Sequence, residues 1–207
     1  MGITERRERE REKVRRKILD AARELFENEG YDKVTMRRIA EAIKYSPTTI
    51  YLHFEDKDDL VRALCNEDFA RLLEALSLIP PAADPIESIR QLGRAYVGFA
   101  VSNPNHFRFM FMSPQHHKDE AHTPEDPGWR SFGALLDAVK RGVAAGRFKA
   151  VDPLTAAQVL WMNVHGVACA LITMPPAQWP HGPAANDLVD QVIENGIRGL
   201  LVGPGKA

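Results

Sequence analysis

The feature that most limits how this chain can fold is a pair of short amphipathic segments joined by a turn of three residues, "KYS". The first segment, "MRRIAEAI" from Met36, places Met36, Ile39, Ala40 and Ile43 along one side. The second opens at Ser46-Pro47 and puts Ile50 and Phe54, four apart, on its inner side. Thr35 and Ser46 stand where helix N-caps are needed, and Pro47 falls at a first helical position, where a missing N–H costs nothing. Ahead of them Ile18, Ala21, Ala22, Leu25 and Phe26 recur at three-to-four spacing, and Gly30 is placed to close that helix in a left-handed cap. Three short helices in this order, the last two joined by a tight turn, make a helix-turn-helix.

The remainder of the chain is helical in period. Helices are expected over 57–78, 85–102, 129–146, 153–173 and 184–201, with "HFRFMFM" as a short apolar piece and a proline-containing loop over 114–128. No strand-like alternation of useful length occurs, and no internal repeat. The expected fold is all-α with about nine helices. It comprises a three-helix domain over 1–60 and a larger helical body over 61–207, which binds a ligand and dimerises.

Charge is unevenly shared. Residues 1–54 hold 13 lysines and arginines against 10 acidic residues, whereas the other 153 hold 14 against 18. A basic head on an acidic body suits one end meeting DNA. The run "ERREREREKVRRK" reads as a solvated helical extension, to which Arg15, Arg16 or Lys17 add backbone contacts in a functional reading. Cys65 and Cys169 lie far apart in helical contexts, which argues against a disulfide framework and, with no signal peptide, for a cytoplasmic protein. No run of 18 apolar residues predicts a membrane span.

The third helix carries the chemistry. In a helix-turn-helix the second helix of the pair enters the major groove, and its N-terminal residues meet base edges. Pro47, Thr48 and Thr49 lie early on it, with the threonine hydroxyls able to donate or accept and their methyls able to meet thymine. Tyr51 and His53 are placed to reach flanking phosphates. Lys57 adds a cation at the start of the next helix, and Thr35 with Arg37 or Arg38 can do the same on the other strand.

Residues 17–60 resemble the N-terminal DNA-binding domain of the TetR family of bacterial transcriptional regulators. The matching features are Ile18, Ala21-Ala22, Leu25-Phe26, Gly30, Thr35, Ile39-Ala40, Ser46, Thr49, Tyr51, His53-Phe54, Lys57 and Leu60. The resemblance implies that Thr35, Thr49, Tyr51, His53 and Lys57 touch DNA, mostly its backbone. One departure stands out: the family turn usually carries a glycine near Lys44. Either this turn tolerates lysine without a strained angle, or it holds lysine there at some cost.

In the body, helix 153–173 brings Trp161, His165, Ala168 and Cys169 near one face, and helix 184–201 presents Leu188, Val192, Ile193, Ile197, Leu200 and Leu201. Small residues on one helix beside large aliphatics on the other suit a four-helix interface between two copies, so a homodimer is expected. "WMNVHG", with Trp161, His165 and Gly166, and the preceding "HFRFMF" resemble a C-terminal subclass of the same family named for Trp-His-Gly. Tyr96, Phe99, Phe107, Met110, Phe111, Trp161 and His165 are the candidate pocket for an apolar or aromatic effector. His165 is the sharpest member, read either as a ligand's hydrogen-bond partner or as a satisfied core histidine.

"HHKDEAH", with His116, His117 and His122, matches no closed metal-site spacing and reads as a solvated loop. No nucleophile with an oriented base is visible, so no enzyme activity and no cofactor are expected. The combined reading is a regulator released from a palindromic double-stranded operator by a small molecule. The alternatives are a co-repressor-dependent or activating regulator of the same fold, and a helical scaffold that binds no DNA.

Overall fold

A computed structural model describes residues 2–112, 123, 125–174 and 185–202. Among them are nine α-helices and a 3-10 turn (Tyr31–Lys33), with one isolated antiparallel bridge, Phe148 to Leu201. The helices are α1 (Ile3–Glu29), α2 (Met36–Ile43), α3 (Pro47–Tyr51), α4 (Lys57–Ser77), α5 (Pro85–Ser102), α6 (Pro104–Met112), α7 (Pro127–Ala144), α8 (Pro153–Thr173) and α9 (Ala185–Leu200). The fold is all-α. The chain divides into two compact units, one from the described residues of Met1–Asp68 and Arg108–Glu120, the other from those of Phe69–Phe107 and Ala121–Ala207.

In the first unit α1 packs on α2, and α2 on α3. Ile18, Leu19 and Ala22 of α1, Ile39 and Ala40 of α2, Ile50 and Phe54, and Leu60, Val61 and Leu64 of α4 form one buried cluster. Ile50 is the only apolar anchor inside five-residue α3 and is fully buried. Such a helix is held by packing rather than by its own propensity, so Ile50→Ala costs about 2–5 kcal/mol. Phe26 stacks on Tyr31 and on Phe109, with ring centroids 5.5 and 5.7 Å apart. The carboxylate of Asp68, fully buried, accepts a 2.7 Å hydrogen bond from Arg23.

Both helix ends in this unit differ from simple expectation. Gly30 has φ 81° and ψ 154°, which is not the left-handed helical cap but an extended mirror region open only to glycine. At the end of α2 it is Lys44 that adopts the left-handed helical conformation, φ 60° and ψ 41°. There the Tyr45 N–H donates to Ala40 at 3.0 Å and the Lys44 N–H to Glu41 at 3.2 Å, the paired bonds of a Schellman ending. Of the two readings of Lys44, the costly one is observed.

In the second unit α5 packs on α7, α8 and α9, and α8 packs on α7 and α9. Ile89, Tyr96 and Val97 of α5 face inward, as do Leu160 and Val164 of α8 and Ile193 and Ile197 of α9. Arg90 to Glu194 and Arg94 to Asp190 (2.7 Å) pin α5 to α9 along one rim. α7 runs Pro127–Ala144, earlier at both ends than the expected 129–146, because Pro127 starts the helix instead of breaking the loop. Five helices begin on a proline in this way. Among the described residues α8 alone has the length and apolar composition to cross a membrane, and it lies among α5, α7 and α9.

Candidate nucleic-acid interface and aromatic cluster

The turn and α3 present a polar row above the buried Ile50. Ser46 caps α3, its Oγ accepting from the Thr49 N–H at 3.2 Å and lying 3.0 Å from the Thr49 hydroxyl. That pairing leaves Thr49 half-buried and internally engaged, while Pro47 and Thr48 beside it are exposed. Tyr51 is 56% exposed and Leu52 68%, high values for side chains of their size. Thr35 caps α2 by accepting from the Arg38 N–H at 3.1 Å. Arg37 is exposed and pairs along its helix with Glu41, whereas Arg38 is held by Glu29 at 2.7 Å.

Lys57 and His53 sit deeper. The Lys57 ammonium donates to the Tyr31 carbonyl and lies 3.7 Å from the centre of the Tyr31 ring. Burial pushes its pKa down, although Asp32 and Asp58 pull it back up. The N-terminus of α4 is already served by acidic side chains: Asp56 accepts from the Asp59 N–H at 2.7 Å, and Asp59 from the Glu55 N–H at 2.9 Å. His53 is half-buried, and its Nδ1 is shielded from solvent with no hydrogen-bond partner among the described residues. Burial, then Arg11 and Arg15, hold its pKa below the ordinary histidine value. His53 and Leu52 border a shallow groove whose other wall is Glu10, Arg11 and Val14 of α1.

Sequence periodicity missed that wall. The charged run was legible as a helical extension, yet which arginine meets α3 depends on the angle at which α1 crosses it. Arg15 and Arg16 are turned toward Glu67, at 3.7 and 3.5 Å, and Arg15 also lies over the Phe54 ring. Arg11 has no ion-pair or hydrogen-bond partner among the described residues.

Four of the seven candidate effector residues come together in the second unit. Trp161 stacks on His165 (centroids 4.9 Å apart), Phe107 lies 5.4 Å from His165, and Tyr96 meets Phe107 edge-on at 5.7 Å. The Trp161 indole N–H donates to the Tyr96 oxygen at 3.2 Å, which leaves the Tyr96 hydroxyl proton free to donate to His165 Nδ1 at 2.9 Å. His165 then carries its own proton on Nε2, 3.4 Å from the Cys169 sulfur. Burial favours the neutral imidazole and lowers its pKa, and burial raises those of Tyr96 and Cys169. His165 thus has hydrogen-bonding partners on both ring nitrogens. Phe99 is half-buried on α5; Met110 and Phe111 belong to the first unit. His116, His117 and His122 lie outside the described residues. Among the described residues no three His, Cys, Asp or Glu side chains converge as a metal site would require.

Residues 18–64 match the family described as bacterial regulatory proteins, tetR family, and residues 89–195 match the tetracyclin repressor-like C-terminal domain. The HTH-type transcriptional repressor Rv1474c of Mycobacterium tuberculosis is 49% identical over 63 residues, 30% of this chain and 34% of that protein. The repressor AcnR of Corynebacterium glutamicum is 44% identical over a stretch of the same length, covering the same shares. The chain thus spans about a third of the length of the curated relatives it matches. Over nearly the whole chain the fold is shared with a Rhodococcus protein of unknown function (TM-score 0.74, 24% identity, 91% of this chain and 96% of that one). It is shared also with FadR of Bacillus subtilis, solved in complex with stearoyl-CoA (TM-score 0.70, 18% identity, 89% and 98%). With the helix-turn-helix match at one end and a C-terminal match spanning more than half of the chain, this protein belongs to the TetR family of bacterial regulatory proteins.

Proposed function

We propose that this protein is a cytoplasmic, homodimeric repressor that leaves a palindromic operator when an apolar or aromatic small molecule occupies its body. The observation that carries the DNA half of this reading is the α3 surface: Thr48 and a 56% exposed Tyr51 stand beside the capped turn, over a fully buried Ile50. A rigid short helix that leaves an aromatic ring and a hydroxyl in water is suited to a groove and its phosphates. In this reading Thr35, Arg37, Ser46, Pro47, Thr48, Thr49, Tyr51, His53 and Lys57 face the operator.

One helix-turn-helix reads too few base pairs, so two copies place their α3 helices in successive major grooves about 34 Å apart. Support for the dimer comes from α8, where Val159 and Met162 are 50% and 59% exposed beside the exposed, side-chain-free Gly166. The pairing of Trp161 with His165, followed by Gly166, supports placing the body in the Trp-His-Gly subclass. Tyr96, Phe107, Trp161 and His165 supply the aromatic wall of the effector site, to which Phe99 of α5 is assigned from sequence. The fold shared with a regulator solved with stearoyl-CoA is consistent with a long apolar ligand. A coupling of about 1–3 kcal/mol between effector and DNA changes operator affinity about 5–150-fold.

Selection of genomic fragments by the purified protein, followed by sequencing, tests the reading. A short palindrome is expected. Tyr51→Ala and Lys57→Ala should each weaken binding to it; equal binding by both variants would sink the assignment of the interface.

A further inference from the structure

The groove between α1 and the end of α3 is not accounted for by the recognition helix. Its walls come from two elements, Glu10, Arg11 and Val14 on one side and Leu52 and His53 on the other. The α1 wall belongs to residues that precede the matched family segment, which begins at residue 18. From Ile3 to Lys17 this extension carries eight lysines and arginines against four glutamates. It is continuous helix, so the charges are held in place rather than on a loose arm.

The cations of this region differ in what they already hold. Arg15 and Arg16 are turned to Glu67, and Lys17 lies over the Tyr45 ring. Glu10, the acidic member of the wall, pairs with Lys13 at 3.4 Å. Arg11 is left exposed and without an ion-pair partner on the groove wall opposite His53, whose Nδ1 is shielded from solvent and does not face the groove. The guanidinium favours an anion and can take a phosphate in bidentate fashion, while a neutral histidine with its proton on Nε2 can donate one hydrogen bond from that atom. Leu52, largely in solvent on the same rim, offers an apolar surface to a deoxyribose.

We infer that the groove lined by Arg11 and His53 seats a phosphodiester of the DNA backbone, so that the α1 extension adds a contact beyond α3. The inference rests on the DNA-binding reading above. Arg11 here anchors without reading sequence, so it contributes to any duplex and its contribution follows salt.

The test needs no operator. Binding of the full-length protein to a labelled random-sequence duplex of about 30 base pairs is titrated from about 50 to about 200 mM KCl. Arg11→Ala should lower the slope of log K against log salt by about 0.9 for each head on the duplex, about 1.8 for the homodimer, and Arg11→Lys should keep it. Lys140→Ala, which removes an exposed cation on α7, controls for net charge and should leave the slope unchanged. Circular dichroism of Arg11→Ala checks that α1 stays helical. A slope in Arg11→Ala equal to that of the salt-dependent wild type overturns the groove contact and leaves the DNA reading standing. So does an equal loss in Lys140→Ala. Wild-type protein whose binding does not depend on salt overturns both.

Discussion

His165 Nδ1 lies 2.9 Å from the Tyr96 hydroxyl, joining the middle of α8 to the middle of α5 through two aromatic side chains. The tyrosine oxygen also accepts from Trp161, so a single atom organises both rings. Tyr96→Phe removes that atom with little change in packing volume and takes one partner each from the indole N–H of half-buried Trp161 and from an imidazole. A loss of about 1–3 kcal/mol in unfolding free energy is expected, read as a lower urea midpoint with an unchanged slope.

Asp68 and Arg23 form the buried ion pair of the first unit, with the carboxylate fully shielded. Removing the acid leaves a guanidinium only 14% exposed without that partner. Asp68→Ala should therefore cost about 3–5 kcal/mol, measured by thermal or urea unfolding. A loss below about 1 kcal/mol would show that Arg23 finds water or another acceptor.

Lys44 holds a left-handed conformation that costs a residue with a Cβ about 1–2 kcal/mol. The two hydrogen bonds that close α2 are backbone bonds and survive substitution. Lys44→Gly should raise stability by about 1 kcal/mol, after the entropy that glycine adds to the unfolded chain is deducted. The urea midpoint decides the sign.

The two described histidines with lowered pKa set a pH dependence. Burial depresses His165; burial with Arg11 and Arg15 depresses His53. A histidine whose folded pKa lies below its unfolded value of about 6.5 takes up its proton first in the unfolded chain. The stability it supports is present above that value and is lost as pH falls through it toward the folded pKa. Unfolding free energy should drop between about pH 7.5 and about pH 5.5, and the drop should be smaller in His165→Gln. The Arg90–Glu194 pair acts lower, since Arg90 holds the Glu194 pKa below the ordinary carboxylate value.

Gly142 on α7 faces the buried ring of Phe148, where an added Cβ would stand 2.3 Å from Cε2. Phe148 also bridges to Leu201 beyond α9, so the ring cannot withdraw without disturbing that tie. Gly142→Ala should destabilise by about 1–3 kcal/mol despite alanine's better helix propensity.

Local chemistry in the sequence was enough to place the helix-turn-helix. Capping at Thr35 and Ser46, proline at Pro47 and the inward positions of Ile39 and Ile50 are read from neighbours within four residues, and such rules need no tertiary information. The same rules found the body helices to within about two residues, erring where Pro127 began a helix instead of interrupting a loop. What only the tertiary structure decided is which side chains meet across elements. The spacing that brings Trp161 and His165 to one face says nothing of Tyr96 on α5, and no periodicity pairs Arg11 with His53 or turns Lys57 over Tyr31. Those meetings depend on crossing angles and on which hydrogen-bond partners burial leaves available. They are properties of the packed chain, set by long-range contacts that a local pattern does not contain.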